Sequence, residues 1–376
     1  MRLEAKELAS LIETLRRDGY EVVGPTVRDG AIVYDAIEGL EDLPRGWTDE
    51  HAPGRYRLLR RPDNALFGYV VGPQSWKRFL LPPRVRLFSV RRNGDQPEII
   101  ADASAEPPPK YAFLGARACE LAALAVQDRV LLGGPYADPI YRNRRQDVFV
   151  IAVQCTQAAP TCFCSSMGTG PKLSGGYDIA LTEVVEGAES WFVAHAGTEA
   201  GAARLAALGA PEASPQDVAR AEEAARRAES MITRRLNTAG LRERLAENFE
   251  HPQWDDVARR CLACANCTLV CPTCFCVTVE DTSDVTGSHA ERWRLWDSCF
   301  TQSFSYIHGG PVRASIKARY RQWLTHKLSS WHDQFGTSGC VGCGRCITWC
   351  PAAIEITTEA EAVCGFPPSS LRSEQA

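Results

Sequence analysis

Strand-like and helix-like patterns of apolar and polar residues alternate through the first ~190 residues, and strand-like alternation fades from about residue 240 onward. MRLEAKELASLIETLRRDG carries charges throughout with apolar residues between them, and predicts an amphipathic helix near 4–18. YEVVGPTVRDGAIVYDAI predicts two strands about an Asp29-Gly30 turn. RYRLLRR and FGYVVGP predict a second strand pair about Pro62, Asp63 and Asn64. In KYAFLGARACELAALAVQ an apolar run meets a glycine turn, then helical spacing at Leu121, Leu124 and Val126. QDVFVIAVQC reads as a further buried strand, and DIALTEV and WFVAHAG complete an α/β domain over 1–196. The Ala-, Arg- and Glu-rich stretch within 197–240 predicts a helical linker. Residues 241–356 predict a helical domain that includes the aromatic helix RWRLWDSCF, and 357–376 a flexible tail without motifs.

Sixteen cysteines change this picture, six of them within CLACANCTLVCPTCFC. The first four read C-x2-C-x2-C-x3-C-P: Cys261, Cys264, Cys267 and Cys271, then Pro272. CVGCGRCITWCP repeats the pattern with Cys340, Cys343, Cys346 and Cys350 before Pro351. Three thiolates spaced by two residues wrap three corners of a cubane, while the fourth, before proline, serves the other cluster of a pair. The expected ligands are therefore Cys261, Cys264, Cys267 and Cys350 for 4Fe–4S cluster I. Cluster II takes Cys340, Cys343, Cys346 and Cys271. Zinc modules set two C-x2-C knuckles a dozen or more residues apart, which this spacing does not match. The long helical segment between the motifs points to a helical ferredoxin arrangement. The expected fold class is multidomain α+β, an N-terminal α/β domain followed by a helical ferredoxin-like dicluster domain.

Four more cysteines lie in the α/β half. Cys119 follows the YAFLG strand at the start of a helix, and Cys155 ends VFVIAVQ. If those strands are parallel neighbours, both thiols emerge at one carboxyl edge, where α/β sheets place ligands. Cys162 and Cys164 lie on the loop that follows, and the GTG at 168–170 allows close backbone approach. A third 4Fe–4S cluster, a zinc site and four small buried thiols all remain open for this set.

The chain has 45% hydrophobic residues, enough for a core that needs no disulfides, and a net charge of −4. That charge provides no basic field for nucleic acid. No 18-residue apolar stretch predicts a membrane span, and no continuous apolar segment marks an export signal. So many cysteines without such a signal predict metal or redox chemistry in the cytoplasm.

FGYVVGPQSWKRFLLPP, GARACEL, CLACANCTLVCPTCFC, WDSC, RYRQWLTHK and CVGCGRCI together resemble the iron–sulfur β subunits of cytoplasmic NAD(P)-linked NiFe hydrogenases, the sulfhydrogenases. The A subunit of anaerobic sulfite reductase shares the plan. The resemblance runs from about residue 55 to 355. It implies a non-catalytic subunit passing electrons between a flavin subunit that meets NAD(P)H and the catalytic subunits. Those would be NiFe small and large subunits, or a sirohaem subunit, with flavin on a partner. A reading of another class is a self-sufficient flavin-dependent oxidoreductase fed by its own clusters, with flavin or substrate beside Cys119.

No Ser/His/Asp arrangement or paired carboxylates are brought together by the sequence, so no catalytic residue is expected. Cys274, Cys276 and Cys299 are expected as buried thiols around the clusters, and Cys364 as incidental. Trp293, Trp296 and Trp349 are expected in the core and as cluster shielding. Arg117 is placed to face an anionic cluster or a flavin phosphate, or to form a surface salt bridge. His289, His308, His326 and His332 are dispersed, which disfavours a ligand role.

Overall fold

Tyr111–Ala116 and Phe149–Val153 are buried at every position, as strands covered on both faces must be. The computed structural model, which describes residues 1–93, 96–102, 107–187 and 189–366, sets them side by side and parallel. They form the middle of a seven-stranded sheet. Its order is Arg2–Leu3, Glu189–Ala196, Ile179–Glu186, Phe149–Val153, Tyr111–Ala116, Glu21–Arg28, Ala31–Ala36. The four inner strands from Ile179–Glu186 to Glu21–Arg28 run parallel, and the outer pairings are antiparallel. The expected Asp29-Gly30 turn is present, both residues at positive φ (48° and 74°), as a two-residue hairpin turn requires.

Alternate side chains of each inner strand serve different cores. Ala112 and Leu114 join Leu8, Leu11, Ile12 and Leu15 of the Ala5–Arg17 helix on one face. Tyr111 and Phe113 join Trp76, Leu121, Leu124 and Tyr141 on the other. The stretch expected as a linker contains two helices, Glu199–Ala207 and Pro215–Met231, that pack on Glu189–Ala196 and Ile179–Glu186 and bury Leu205, Ala221, Ala224 and Ala228.

Three expectations of secondary structure are corrected. Arg55–Arg60 pairs with Trp47–Ala52, and FGYVVGP is no strand. Its apolar run resembles one, but its backbone bonds to buried side chains. Leu66 and Phe67 N–H donate to the Glu183 carboxylate, Val70 N–H donates to Asp49, and the Phe67 and Tyr69 carbonyls accept from Arg117. The second half also contains strands. Val277–Ser283 and His289–Trp296 form a hairpin that pairs with Arg84–Asn93 and Gln96–Asp102 in a four-stranded antiparallel sheet. RWRLWDSCF is therefore strand rather than helix at its start. Its tryptophans fall at helical spacing, while its charges pair across the ribbon, as in Arg292 with Asp281 and Arg86 with Glu291. The expected flexible tail begins instead as a helix, Ile356–Cys364. It buries Ile356, Ala360, Val363 and Cys364 in one core with Trp254, Leu324 and Ile347. Residues 367–376 lie outside the described residues. No described helix is long and apolar enough to cross a membrane.

Candidate metal centres

The two cysteine motifs share one backbone course. In the first, Ala263 and Ala265 take positive φ (50° and 67°); in the second, Gly342 and Gly344 do so at the equivalent positions (62° and 76°). These left-handed residues let each loop curl inward. Ala263 N–H and Gly342 N–H both approach a cysteine sulfur, Cys261 and Cys340, at 3.4 Å. Each loop then enters a single helical turn, Asn266–Leu269 or Arg345–Thr348. Alanine suffices in the first loop at a strain cost of roughly 1–2 kcal/mol per residue. The second has no such latitude. A Cβ on Gly342 would lie 2.6 Å from the Phe163 carbonyl, and one on Gly344 would lie 2.5 Å from the Thr161 oxygen.

One cavity is lined by Cys261, Cys264, Cys267 and Cys350, with Phe300 and Trp323 among its walls. A second is lined by Cys271, Cys340, Cys343 and Cys346, with Phe163 and Lys327. Each cavity is thus lined by three cysteines of one motif and the pre-proline cysteine of the other. Cys346 lines both.

A third cavity is lined by Cys119, Cys155, Cys162 and Cys164 together with Tyr69 and Arg117. The parallel strands bring Cys119 and Cys155 to one sheet edge. The Ala118–Leu132 helix begins there, and its Ala118 N–H points to the Cys155 sulfur. Gly170 fits only without a side chain, since a Cβ there would lie 3.1 Å from Ala118 and 3.3 Å from the Cys164 sulfur. Cys343 lines this cavity as well as the second. The second motif is clamped here: Phe163 N–H donates to the Gly342 carbonyl (2.8 Å) and Thr169 Oγ1 to the Val341 carbonyl (2.7 Å). Arg345 enters the sheet domain and pairs with buried Glu120.

The donor sets fit iron–sulfur clusters on two counts. The thiols ring cavities, as multi-iron clusters require and one tetrahedral zinc ion does not. The second count is charge. Arg117, Lys327 and Arg319 are buried beside the third, second and first cavities; Arg117 has the Glu183 and Glu120 carboxylates nearby, whereas among the described residues Lys327 and Arg319 have no carboxylate partner. The Arg117 guanidinium donates only to carbonyls, and the Nε atoms of Arg117 and Arg319 have no hydrogen-bond partner. A buried unpaired cation costs several kcal/mol, which an anionic thiolate cluster offsets. Burial meanwhile pushes the Cys162 and Cys340 thiols up to about 12, and Cys119 and Cys155 upward. Such thiols lose their protons to a coordinating metal.

Lys327 and Arg319 stand at the two ends of RYRQWLTHK, one of the stretches that carry the family resemblance, but only the fold brings them to the thiols. Arg117 is buried rather than on the surface and lines the third cavity. Cys274 and Cys276 line none of the three cavities. The Cys274 thiol contacts Cys271 and the Cys276 thiol contacts Cys299. Trp293 and Trp296 lie on the four-stranded sheet under Arg84 and Lys77, and Trp349 stacks on Tyr56. Phe300, Tyr320 and Trp323 supply the aromatic wall of the first cavity instead.

Residues 260–354 match the family model of the 4Fe–4S dicluster domain. The chain is 32% identical over 367 residues to sulfhydrogenase 2 subunit beta of Pyrococcus furiosus, covering 94% of this chain and 95% of that one. No solved structure matches.

Proposed function

Because the chain belongs to the family of iron–sulfur β subunits of sulfhydrogenases and carries a 4Fe–4S dicluster domain, we propose that it is a relay of three clusters. It passes electrons between a flavin subunit that binds NAD(P)H and the small and large subunits of a NiFe hydrogenase in the cytoplasm. Similarity to a sulfhydrogenase subunit over nearly the whole chain favours that partner over a sirohaem subunit.

The observation that carries the reading is the sharing of cysteines. Cys343 lies between the third cavity and the second, and Cys346 between the second and the first. The three cavities are thus connected in sequence, each neighbouring pair sharing a lining cysteine. Each cluster, when bound, exchanges one electron at thiolate-held iron. The protein supplies the rest. Cys119, Cys155, Cys162 and Cys164 hold the outer cluster in the sheet domain, and Arg117 balances its charge. Phe163, Phe300 and Trp323 keep water away, and the Arg345–Glu120 pair fixes the second motif to the sheet domain.

The test is made in the assembled complex with Cys119→Ser and Cys155→Ser combined. NAD(P)H-linked hydrogen turnover falls to background, while dithionite still reduces the two remaining clusters. Undiminished turnover contradicts a relay that includes the third cavity.

A further inference from the structure

The helix beginning at Ile316 does not run regularly to Phe335. Between Ile316–Thr325 and Trp331–Phe335 it widens into a π-helical turn, His326–Ser330. Such turns are rare, and they often mark functional positions. Lys327 lies in this one. Its side chain turns inward, 3% exposed, and uses all three donors of its ammonium group. They reach Cys271 Sγ at 3.2 Å, Thr273 Oγ1 at 3.0 Å and the Gly339 carbonyl at 2.8 Å. Among the described residues no carboxylate answers this charge. A second buried cation approaches from the sheet domain. Lys77 donates to the Cys274 carbonyl (3.0 Å) and lies 4.1 Å from the Trp296 ring centroid, again without a carboxylate.

Thr273 Oγ1 already donates directly to the Gly339 carbonyl (2.6 Å), so the lysine is not needed to tie them. Nothing in that structural role calls for a full positive charge, or for the desolvation that burying it costs. The charge faces the middle cavity of the row, and it contacts the one ligand sulfur contributed by the other motif.

We propose that Lys327 is a positioning residue that sets the reduction potential of the central cluster, with Lys77 adding to it in the same direction. This rests on the reading of Cys271, Cys340, Cys343 and Cys346 as that cluster's ligands. Reduction adds one negative charge to a centre already anionic. Burial opposes that addition, and a fixed positive charge at a ligand sulfur favours it. The two lysines offset the burial and keep the middle of the row reducible. Without them the central cluster is a barrier between its neighbours.

The experiment is an EPR-monitored redox titration of the anaerobically assembled full-length chain, with iron and sulfide measured on the same samples. In Lys327→Gln the central cluster becomes at least tenfold harder to reduce, a fall of about 59 mV or more for a one-electron couple. The potentials of the other two clusters move less, and Lys327→Arg stays near the unsubstituted value. Full iron content with an unchanged or raised central potential in Lys327→Gln overturns the proposal. If Lys327→Gln loses iron, Lys77→Gln decides: a smaller downward shift supports the proposal, and no shift overturns it. Absence of a central cluster in the unsubstituted chain contradicts the ligand reading instead.

Discussion

Cys271 and Cys350 each stand at the end of one motif and line the cavity of the other. Crossed ligation therefore predicts crossed damage. Cys271→Ala disturbs the centre on Cys340, Cys343 and Cys346, and Cys350→Ala the one on Cys261, Cys264 and Cys267. Either change removes one thiolate, so a three-iron signal or a labile iron arises in the opposite motif's centre, read by EPR or Mössbauer spectroscopy. Damage confined to the variant's own motif contradicts the assignment. The candidate ligands were legible in the sequence because cubane wrapping dictates a local spacing that survives as a string. The third set was less so. Cys119, Cys155 and the Cys162/Cys164 pair come from separate segments, and the parallel pairing of two strands is what gathers them. Lys327 and Arg319 belong to RYRQWLTHK, which carried the resemblance, but their approach to the thiols was not legible, since a cation on a helix reads as surface.

At the scale of elements, the Thr161–Cys164 loop and the second cysteine motif are pressed together so closely that glycine is obligatory. Gly342→Ala places a Cβ 2.6 Å from the Phe163 carbonyl at a φ of 62°. It is expected to cost about 2 kcal/mol or more, seen as a lower unfolding temperature and loss of iron. Ala263→Gly at the equivalent position of the other motif relieves strain and is neutral or stabilising by about 0.5–1 kcal/mol.

The strap at 65–72 is held by Glu183, whose carboxyl burial pushes up to about 7, against the backbone N–H groups of Leu66 and Phe67 and the nearby Arg117 and Arg61. A folded-state value above the unfolded one means the folded chain binds more protons. The associated stability is complete below about pH 4.5 and is lost as pH rises through about 7. The difference corresponds to about 3 kcal/mol. Urea unfolding from pH 5 to 8 should show that decline, and Glu183→Gln should flatten it. An equal slope in both proteins contradicts the assignment. The strap was misread as a strand because its apolar run has a strand's composition, whereas its hydrogen bonds go to Glu183, Asp49 and Arg117.

Across the whole molecule, the sheet domain and the dicluster domain are interlocked. The hairpin Val277–Ser283 and His289–Trp296 leaves the dicluster segment to pair with Arg84–Asn93, and Arg345 crosses the other way to Glu120. The reading of 241–356 as helical, with little strand signal, did not foresee this exchange. Alternation in HAERWRLW is hidden by charged residues on an exposed ribbon, and no local pattern reports which distant strand it will meet. The interlock matters for function because it fixes the third cavity against the second, with Cys343 between them. Iron and acid-labile sulfide analysis of the anaerobically assembled full-length chain tests this account most directly. Three cubanes predict about twelve irons and as many sulfides per chain, falling to about eight in the Cys119→Ser, Cys155→Ser variant. About eight in both proteins contradicts it.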